Sequence, residues 1–237
     1  QRQMCIRDSQ KYGVLTWSGD ISSTFRAMRE QLQAGLNMGM AGIPWWTSDI
    51  GGFIGGDIKD PGFQELLVRW FAWGAFCPVF RMHGERSPWY EREQEFINGV
   101  RQLTSGQDNE VWSFGEENYK ILTKYLFLRE KLRPYVRKCM EASSRTGEPV
   151  MRPLFFDFPE DPKAWETEDA YMFGKDILVA PVMEPGVSQR QVYLPKGAEW
   201  TEISPGKVFQ GGKEVAANAP LDVIPVFTRS DEVRGLF

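Results

Sequence analysis

Three apolar runs, each followed by polar residues and glycine, recur at intervals of about thirty residues. The runs cover residues 12–20, 42–53 and 74–84. An apolar run that ends in a polar cluster with glycine is typical of a buried strand that leads into a loop. Asp49 follows Asp20 by 29 residues, and His83 follows Asp49 by 34 residues. Each interval is long enough for a helical crossover between two parallel strands.

Both intervals carry the spacing of an amphipathic helix. The apolar residues at steps of three and four are Phe25, Met28, Leu32 and Leu36 in the first interval, and Leu66, Leu67, Trp70, Phe71 and Trp73 in the second. The first helix is predicted to end near Gly39, and the second follows the Pro61-Gly62 breaker. Alternating strands and helices in units of this length predict βα repeats with a parallel sheet.

Parallel βα repeats place the C-terminal ends of all their strands on one face of the sheet, because the crossovers are right-handed. The third run carries Arg81 together with His83. We therefore predict that Asp20, Asp49 and His83 meet on that face. In (β/α)₈ barrels this is the face that carries the active site.

Composition argues against several functional classes. The net charge is −4 and no basic cluster is present, which argues against nucleic acid as a partner. No apolar stretch approaches the ~20 residues of a membrane span. Three widely spaced cysteines fit no metal or redox motif, and one histidine poorly supplies a zinc site or a Ser-His-Asp triad. Asp and Glu are abundant, so chemistry based on carboxylates is better supplied.

After His83 the pattern changes twice. Residues 85–115 are polar and irregular, and long structured loops at the catalytic end of a barrel are often lids. Residues 116–142 carry helical spacing, and Pro134 is predicted to kink or break that helix. From Val150 onward helical spacing is absent, and short strands between Gly, Pro and Asn turns predict an all-β sandwich. The predicted strands cover residues 150–158, 177–182, 191–194, 199–203 and 223–227.

The predicted fold class is α/β, with the C-terminal portion of a (β/α)₈ TIM barrel in residues 1–150 and an all-β sandwich domain in residues 151–237. A complete barrel needs about 250 residues, whereas about three βα units are visible here. We therefore expect the earlier strands of the barrel to be missing. Residues 1–9 show neither periodicity nor a signal-peptide layout, and we expect them to be foreign to the domain.

Several long motifs resemble glycoside hydrolase family 31, which contains α-glucosidases and α-xylosidases. The motifs are W-S-G-D at 17–20, P-W-W-T-S-D-I-G-G-F at 44–53, R-W-F-A-W-G-A-F-C-P-V-F-R-M-H-G at 69–84, D-N-E-V-W-S-F-G at 108–115, L-R-E-K-L-R-P-Y at 128–135, P-V-M-R-P-L-F-F-D-F-P at 149–159 and F-G-K-D-I-L-V-A-P-V at 173–182. They occur in the family's order and cover nearly everything from Gln10 onward. The resemblance implies a barrel followed by a sandwich, retaining hydrolysis of α-linked oligosaccharides, and no cofactor.

The resemblance also implies roles for single residues. Asp20 matches the family's general acid/base. Asp49 and His83 match residues that bind hydroxyls of the sugar at the cleavage site. The residues that match the walls or braces of this subsite are Trp17, Phe53 and Arg81.

The chain departs from the family pattern at two positions. The W-x-D-x-N-E type of motif that carries the family's nucleophile on an earlier strand does not occur in this sequence. An arginine that the family carries before the acid/base would fall at Met4. We therefore expect this chain to be inactive alone. The alternative is a carbohydrate-binding or scaffold protein without turnover, and within the enzyme class α-glucosidase, α-xylosidase and transglucosylase all stay open.

Each candidate residue also has a purely structural alternative. Asp20 could cap the next helix, Asp49 could cap its own loop, and a lone histidine is usually a core residue. Arg81 could orient a carboxylate. One of Trp45 and Trp46 is expected in the core and the other toward the site. One interpretation of Glu85, Arg86, Trp89 and Tyr90 is contact with outer sugars, and the alternative is a solvated loop.

Overall fold

The computed structural model describes residues 14–88, 96–97, 100–101 and 106–237. The predictions for residues 1–9 and for Trp89 and Tyr90 lie outside the described residues. The prediction for the first strand falls partly outside them, because residues 12–13 are not described.

Two pairs of short parallel strands form the described part of the barrel. Strand β1 (Thr16–Trp17) pairs with β2 (Trp46–Thr47), and helix α1 (Phe25–Met40) connects them. Strand β3 (Gly56–Asp57) pairs with β4 (Arg86–Ser87), and helix α2 (Pro61–Gly74) lies between them. This arrangement confirms the two predicted helices and the parallel pairing.

Local capping explains where the two helices begin. The Thr24 side chain accepts a hydrogen bond from the Ala27 amide at the start of α1. The Asp60 carboxylate accepts from the amides of Gly62 and Phe63 at the start of α2, and Pro61 occupies the first turn. Proline is favoured there because its missing N–H would lack a helical partner in any case.

The predicted third strand at residues 74–84 is wrong. The segment after α2 forms turns, and residues 80–85 belong to no strand. It still runs beside the loop after β2, because Thr47 Oγ1 donates to the Val79 carbonyl (3.0 Å) and the Ile50 amide donates to the Arg81 carbonyl (3.3 Å). The reason is partly chemical, since Pro78 lacks an amide hydrogen for a ladder. The Arg129 guanidinium also occupies the carbonyls of Ala75, Cys77 and Pro78.

The segment predicted as an irregular lid contains short regular elements. Strands β5 (Phe96–Ile97) and β6 (Val100–Arg101) pair in antiparallel fashion, and a 3₁₀ helix covers Val111–Phe114. Residues 96–97 and 100–101 are described only as backbone strands. A lid role for this segment stays a prediction.

Helix α3 (Glu116–Thr146) runs for 31 residues with Pro134 inside it, so the helix does not break at Pro134, and a kink there stays a prediction. An interior proline costs about 3 kcal/mol. Burial of Leu132 and Val136 on either side offsets that cost, because both side chains join the core shared with α2. Among the described residues, no helix combines the length and the apolar character needed to cross a membrane, α3 included.

The C-terminal region consists of two antiparallel layers. The larger is a six-stranded sheet with the order β12-β11-β14-β9-β8-β7. Its strands are β7 (Met151–Pro153), β8 (Tyr171–Phe173), β9 (Ile177–Val179), β11 (Glu199–Glu202), β12 (Val208–Gln210) and β14 (Val226–Thr228). The smaller layer pairs β10 (Gln189–Leu194) with β13 (Lys213–Asn218). Trp200, Phe227, Val192 and Val215 fill the core between the layers, as in a sandwich. The division at residue 150, just before β7, stays a prediction.

Three short helices correct the prediction that this region contains only strands. They are α4 (Leu154–Asp157), α5 (Pro162–Glu166) and α6 (Asp231–Arg234). The predicted strand at 150–158 therefore ends at Pro153, where α4 begins. Helices of four or five residues are too short to show periodicity. Their caps are the better signal, since Asp161 precedes Pro162 and the Ser230 hydroxyl accepts from the Val233 amide.

The central strands of the larger sheet are buried on both faces. Tyr171 and Phe173 on β8 face the barrel core, whereas Met172 between them faces the sandwich core. The Tyr171 hydroxyl donates to the Phe76 carbonyl (2.7 Å). Phe76 belongs to the segment that leads to Arg81 and His83, so the sandwich supports one side of the candidate site.

Candidate active site

The parallel pairing of β1 and β2 places the loops after both strands on the same side. Trp17 is the last residue of β1, and Asp20 follows it by three residues. Asp49 follows the end of β2 by two residues. The amides of Phe53 and Ile54 both donate to the Ile21 carbonyl (2.7 and 3.0 Å), so the two loops are tied directly.

The contact between these loops requires glycine at position 52. Its φ is +76°, and a Cβ there would lie 2.6 Å from the Ser23 Cα. No side chain fits at that distance, and a positive φ is itself unfavourable for other residues. The glycine pair after Asp49 therefore permits the close approach of the loop after β1.

Asp49 is a fully buried carboxylate, and only one of its two oxygens accepts a hydrogen bond from a described residue. Its Oδ1 accepts a hydrogen bond from Arg81 Nη1. Its Oδ2 is also buried, and no described residue donates to it. Burial raises the pKa of Asp49, and the negative charge of Asp20 adds to that effect, whereas Arg81 and His83 lower it. An open buried oxygen is suited to accept a hydroxyl from a ligand.

The raised pKa of Asp49 predicts a change in the pH dependence of stability. A carboxyl whose pKa is higher in the folded state than in the unfolded state stabilises the fold fully at pH values below its unfolded-state pKa of about 3.9. That stabilisation is lost as the pH rises through the folded-state pKa. The asparagine side chain does not titrate in this pH range. We expect Asp49→Asn to show a smaller decline in the free energy of unfolding from about pH 4 upward, measured by urea titration across the acid range.

Asp231→Asn is the matched control for this measurement, because the Asp231 side chain is fully exposed. It is expected to keep the wild-type pH dependence. Identical pH slopes for wild type and Asp49→Asn would contradict the prediction.

Arg81 links Asp49 to an exposed aromatic surface. Its guanidinium carbon lies 5.8 Å from the centroid of the Trp17 ring, within cation–π range. Trp17 is 51% exposed. Phe53 and His83 form a second pair, with ring centroids 5.3 Å apart. The structure thus brings Trp17, Asp49 and Arg81 into one chain of contacts and places His83 against Phe53.

For Asp20, Asp49 and His83, the purely structural alternative is wrong. The N-cap of α1 is Thr24, so Asp20 does not cap that helix. The Asp49 carboxylate accepts from Arg81 and from no amide of its own loop among the described residues. His83 and Asp20 are both exposed, so His83 is not a core histidine.

Of the two neighbouring tryptophans, the structure identifies the core residue, and a position of the other toward the site stays a prediction. Trp46 is the core residue, 3% exposed, and its ring centroid lies 6.3 Å from that of Trp73. Gly35 on α1 makes room for it, because a Cβ there would lie 2.7 Å from the Trp46 ring. Trp45 is only half-buried.

Two family models match most of the chain. Residues 5–138 match the family model for the glycosyl hydrolases family 31 TIM-barrel domain, and residues 147–233 match the glycosyl hydrolase family 31 C-terminal domain. The chain belongs to glycosyl hydrolase family 31. This result confirms the predicted fold class, a C-terminal portion of a TIM barrel followed by a β-sandwich domain.

Relatives of this family 31 chain are much longer than the chain itself, and two of the three described here match nearly all of it, whereas the third matches 34% of it. A crystal structure of an α-xylosidase from a soil metagenome, complexed with xylose, has a TM-score of 0.92 and 58% identity over 96% of this chain and 34% of that one. The α-xylosidase of Saccharolobus solfataricus is 35% identical over 94% of this chain and 28% of that protein. An uncharacterized family 31 glucosidase of Pseudescherichia vulneris is 70% identical over 80 residues. This chain therefore spans about a third of its relatives' length.

The interpretation of Arg86 as a sugar-contacting or solvated loop residue is wrong. Arg86 lies on β4, and its side chain is fully buried. The neighbouring Glu85 is half-buried, and its amide donates to the Phe53 carbonyl (2.8 Å). Sequence reasoning missed Arg86 as part of the site's support. No local sequence signal identified it, because the glycines that approach its atoms, at positions 51, 56, 84 and 106, are spread along the chain.

In residues 14–88 and 106–237, no group of three or more His, Cys, Asp or Glu side chains is placed to hold a metal ion.

Proposed function

We propose that this chain is the C-terminal part of a retaining α-glycoside hydrolase, in which it supplies the general acid/base and one wall of the sugar subsite. The observation that carries the proposal is the buried Asp49 carboxylate, held at one oxygen by Arg81 and open at the other, beside exposed Asp20. This arrangement lies at strand ends of a family 31 barrel, where barrel active sites occur.

Asp20 is proposed to act twice in the reaction. In the first step its carboxyl proton passes to the leaving oxygen as the glycosidic bond breaks, while a second carboxylate about 5 Å away attacks the anomeric carbon. In the second step the Asp20 carboxylate takes a proton from water, which displaces that carboxylate and releases the sugar with its configuration retained. The attacking carboxylate is proposed to come from barrel sequence outside this chain.

The other candidates are proposed to bind the sugar whose bond is cleaved. The open Oδ2 of Asp49 accepts a sugar hydroxyl, and His83 donates to another. Trp17, braced by Arg81, offers a ring face for packing against the sugar, and Phe53 holds His83 by ring contact. Charge-assisted hydrogen bonds of this kind are about twice as strong as neutral ones.

An α-xylosyl group is the proposed sugar. The support is the 58% identity to an α-xylosidase whose structure contains xylose, over 96% of this chain. An α-glucosyl group is the second candidate, favoured by the 70% identity over 80 residues to a family 31 glucosidase.

The test uses the full-length enzyme that contains this chain, assayed for nitrophenol release from 4-nitrophenyl α-xyloside and α-glucoside. Faster release from the xyloside is expected. Faster release from the glucoside would select the second sugar. Sugar binding without release from either substrate would establish the carbohydrate-binding alternative, and neither binding nor release would overturn the proposal.

A further inference from the structure

Arg86 is a fully buried cation at the point where the loops of the candidate site meet. Its Nη1 donates to the Gly52 carbonyl (2.8 Å), and its Nη2 donates to the Ile50 carbonyl (2.9 Å). These two carbonyls lie on the turn directly after Asp49. A longer contact joins Nη2 to the His83 carbonyl (3.5 Å). One guanidinium therefore holds the Asp49 turn and reaches the backbone of His83.

The socket around Arg86 is shaped by glycine. A Cβ at Gly84 would lie 2.7 Å from Arg86 Nη1, and a Cβ at Gly51 would lie 3.1 Å from Nη2. Both glycines have positive φ, +150° and +83°, which other residues rarely adopt. The Phe63 ring lies on one side, with its centroid 5.0 Å from the guanidinium carbon. This flat socket suits a planar guanidinium and not a lysine ammonium.

Residues 106–109, within the segment 85–115 predicted as a lid, close the socket. The Asn109 Oδ1 accepts from Arg86 Nε (2.8 Å), and the Gln107 amide donates to the Arg86 carbonyl (2.8 Å). Gly106 passes so close that a Cβ there would lie 2.0 Å from the Arg86 carbonyl oxygen. Arg86 thus links residues 106–109 to the turn behind Asp49.

The charge of Arg86 has no carboxylate in direct contact among its described hydrogen-bond partners, which are backbone carbonyls and one amide oxygen. Burial lowers the pKa of Arg86 to about 10, and the charge of Asp49 works against that shift. Arg86 therefore stays positively charged at neutral pH. A buried cation satisfied by carbonyls holds their positions firmly, because moving any of them leaves an N–H donor unpaired.

We propose that Arg86 is a positioning residue, which holds the Asp49 turn and the His83 segment at the spacing required by the sugar, with Asn109 fixing the guanidinium from the lid side. The inference rests on the proposed function, since it deepens the account of the same subsite. Arg86 itself does not touch the sugar. A misplacement of about 1 Å in such a subsite can cost about 10²-fold in rate.

The test compares Arg86→Lys and Arg86→Met with Arg137→Met in the full-length enzyme. Arg137 is the matched control because its side chain is 80% exposed and pairs only with Glu141 on the same helix. Both Arg86 variants are expected to lower kcat/KM about 10²-fold, with Arg137→Met unchanged. The loss is expected to be equal for nitrophenyl and methyl α-xylosides, because sugar positioning and not leaving-group protonation is damaged.

A second readout separates positioning from a merely structural role. Added guanidinium ion is expected to restore part of the activity of Arg86→Ala, whereas ammonium ion at the same concentration is not. If the Arg86 variants do not fold, Asn109→Asp and Asn109→Leu take their place, and Asp is expected to retain more activity than Leu because it keeps an acceptor for Nε.

Three outcomes would overturn the inference. They are near-wild-type kcat/KM in folded Arg86 variants, a loss that depends on the leaving group, and equal activity of the two Asn109 variants. Failure of the proposed function is distinguishable, because the wild type itself would then neither cleave nor bind the sugar. If the wild type is inactive but binds xylose, the affinity for xylose is measured instead. Arg86→Met must then weaken xylose binding by about the same factor.

Discussion

Asp20→Ala in the full-length enzyme is expected to lower kcat/KM about 10²–10⁴-fold for methyl α-xyloside, the range usual for loss of a general acid. The same change should cost much less for the nitrophenyl substrate, because nitrophenolate leaves without a proton. The second step still needs a base, so nitrophenol should appear as a burst followed by slow turnover. Azide needs no deprotonation, and it is expected to accelerate that slow phase and to yield an α-glycosyl azide.

The control for Asp20 is Asp231→Ala, since the Asp231 side chain is fully exposed on the sandwich. It should leave both substrates and the burst unchanged. An equal loss of activity on the two substrates, without a burst or azide rescue, would assign Asp20 a binding role and leave the acid unidentified. This pattern also separates Asp20 from Arg86, whose variants are expected to lose activity on both substrates alike.

The sequence was sufficient to predict features governed by neighbouring residues. Helices α1 and α2 were located because apolar spacing and caps such as Thr24 and Asp60 are local signals. The placement of Asp20 and Asp49 on one side followed from parallel connectivity alone. Two strands, one helix and a known handedness leave little freedom for where the loops emerge.

Features that depend on distant contacts could not be predicted. The three closest acceptors of the Arg86 guanidinium lie 23 to 36 residues away in sequence, so no local pattern distinguishes its socket from a solvated loop. The segment 74–84 resembles a strand because it is apolar, but only residues 74–78 are buried, and they contact α3 and the sandwich instead of pairing in a sheet. Its turns are held by Arg129, whose partners lie 51 to 54 residues away in the chain.

Pro134 is a second case in which distant packing outweighs a local sequence signal. Its local cost favours a kink or a break of the helix. The helix continues because tertiary packing of Leu132 and Val136 outweighs it. Local rules therefore succeed where packing agrees with them and fail where packing decides.

Trp70→Ala in this chain is expected to lower the free energy of unfolding by about 3–5 kcal/mol, the usual cost of removing a buried tryptophan. Trp70 on α2 has no exposed surface, and its ring centroid lies 6.1 Å from that of Trp73. Trp112→Ala is the matched control, because Trp112 is 67% exposed and its loss should change stability by no more than about 0.5 kcal/mol. Urea titration followed by circular dichroism measures both. Similar losses for the two variants would show that α2 does not anchor the core.

Trp70→Phe separates the packing of the ring from its hydrogen bond. The indole Nε1 donates to Ser48 Oγ (3.1 Å), and Ser48 directly precedes Asp49. Phenylalanine keeps most of the buried ring and removes the donor, so a loss of about 1–3 kcal/mol is expected from the unpaired hydroxyl and the smaller side chain. Because that hydroxyl sits at the base of the Asp49 turn, Trp70→Phe should weaken sugar binding in the full-length enzyme more than its effect on stability suggests. The core of the barrel and the precision of the subsite are then coupled through one side chain.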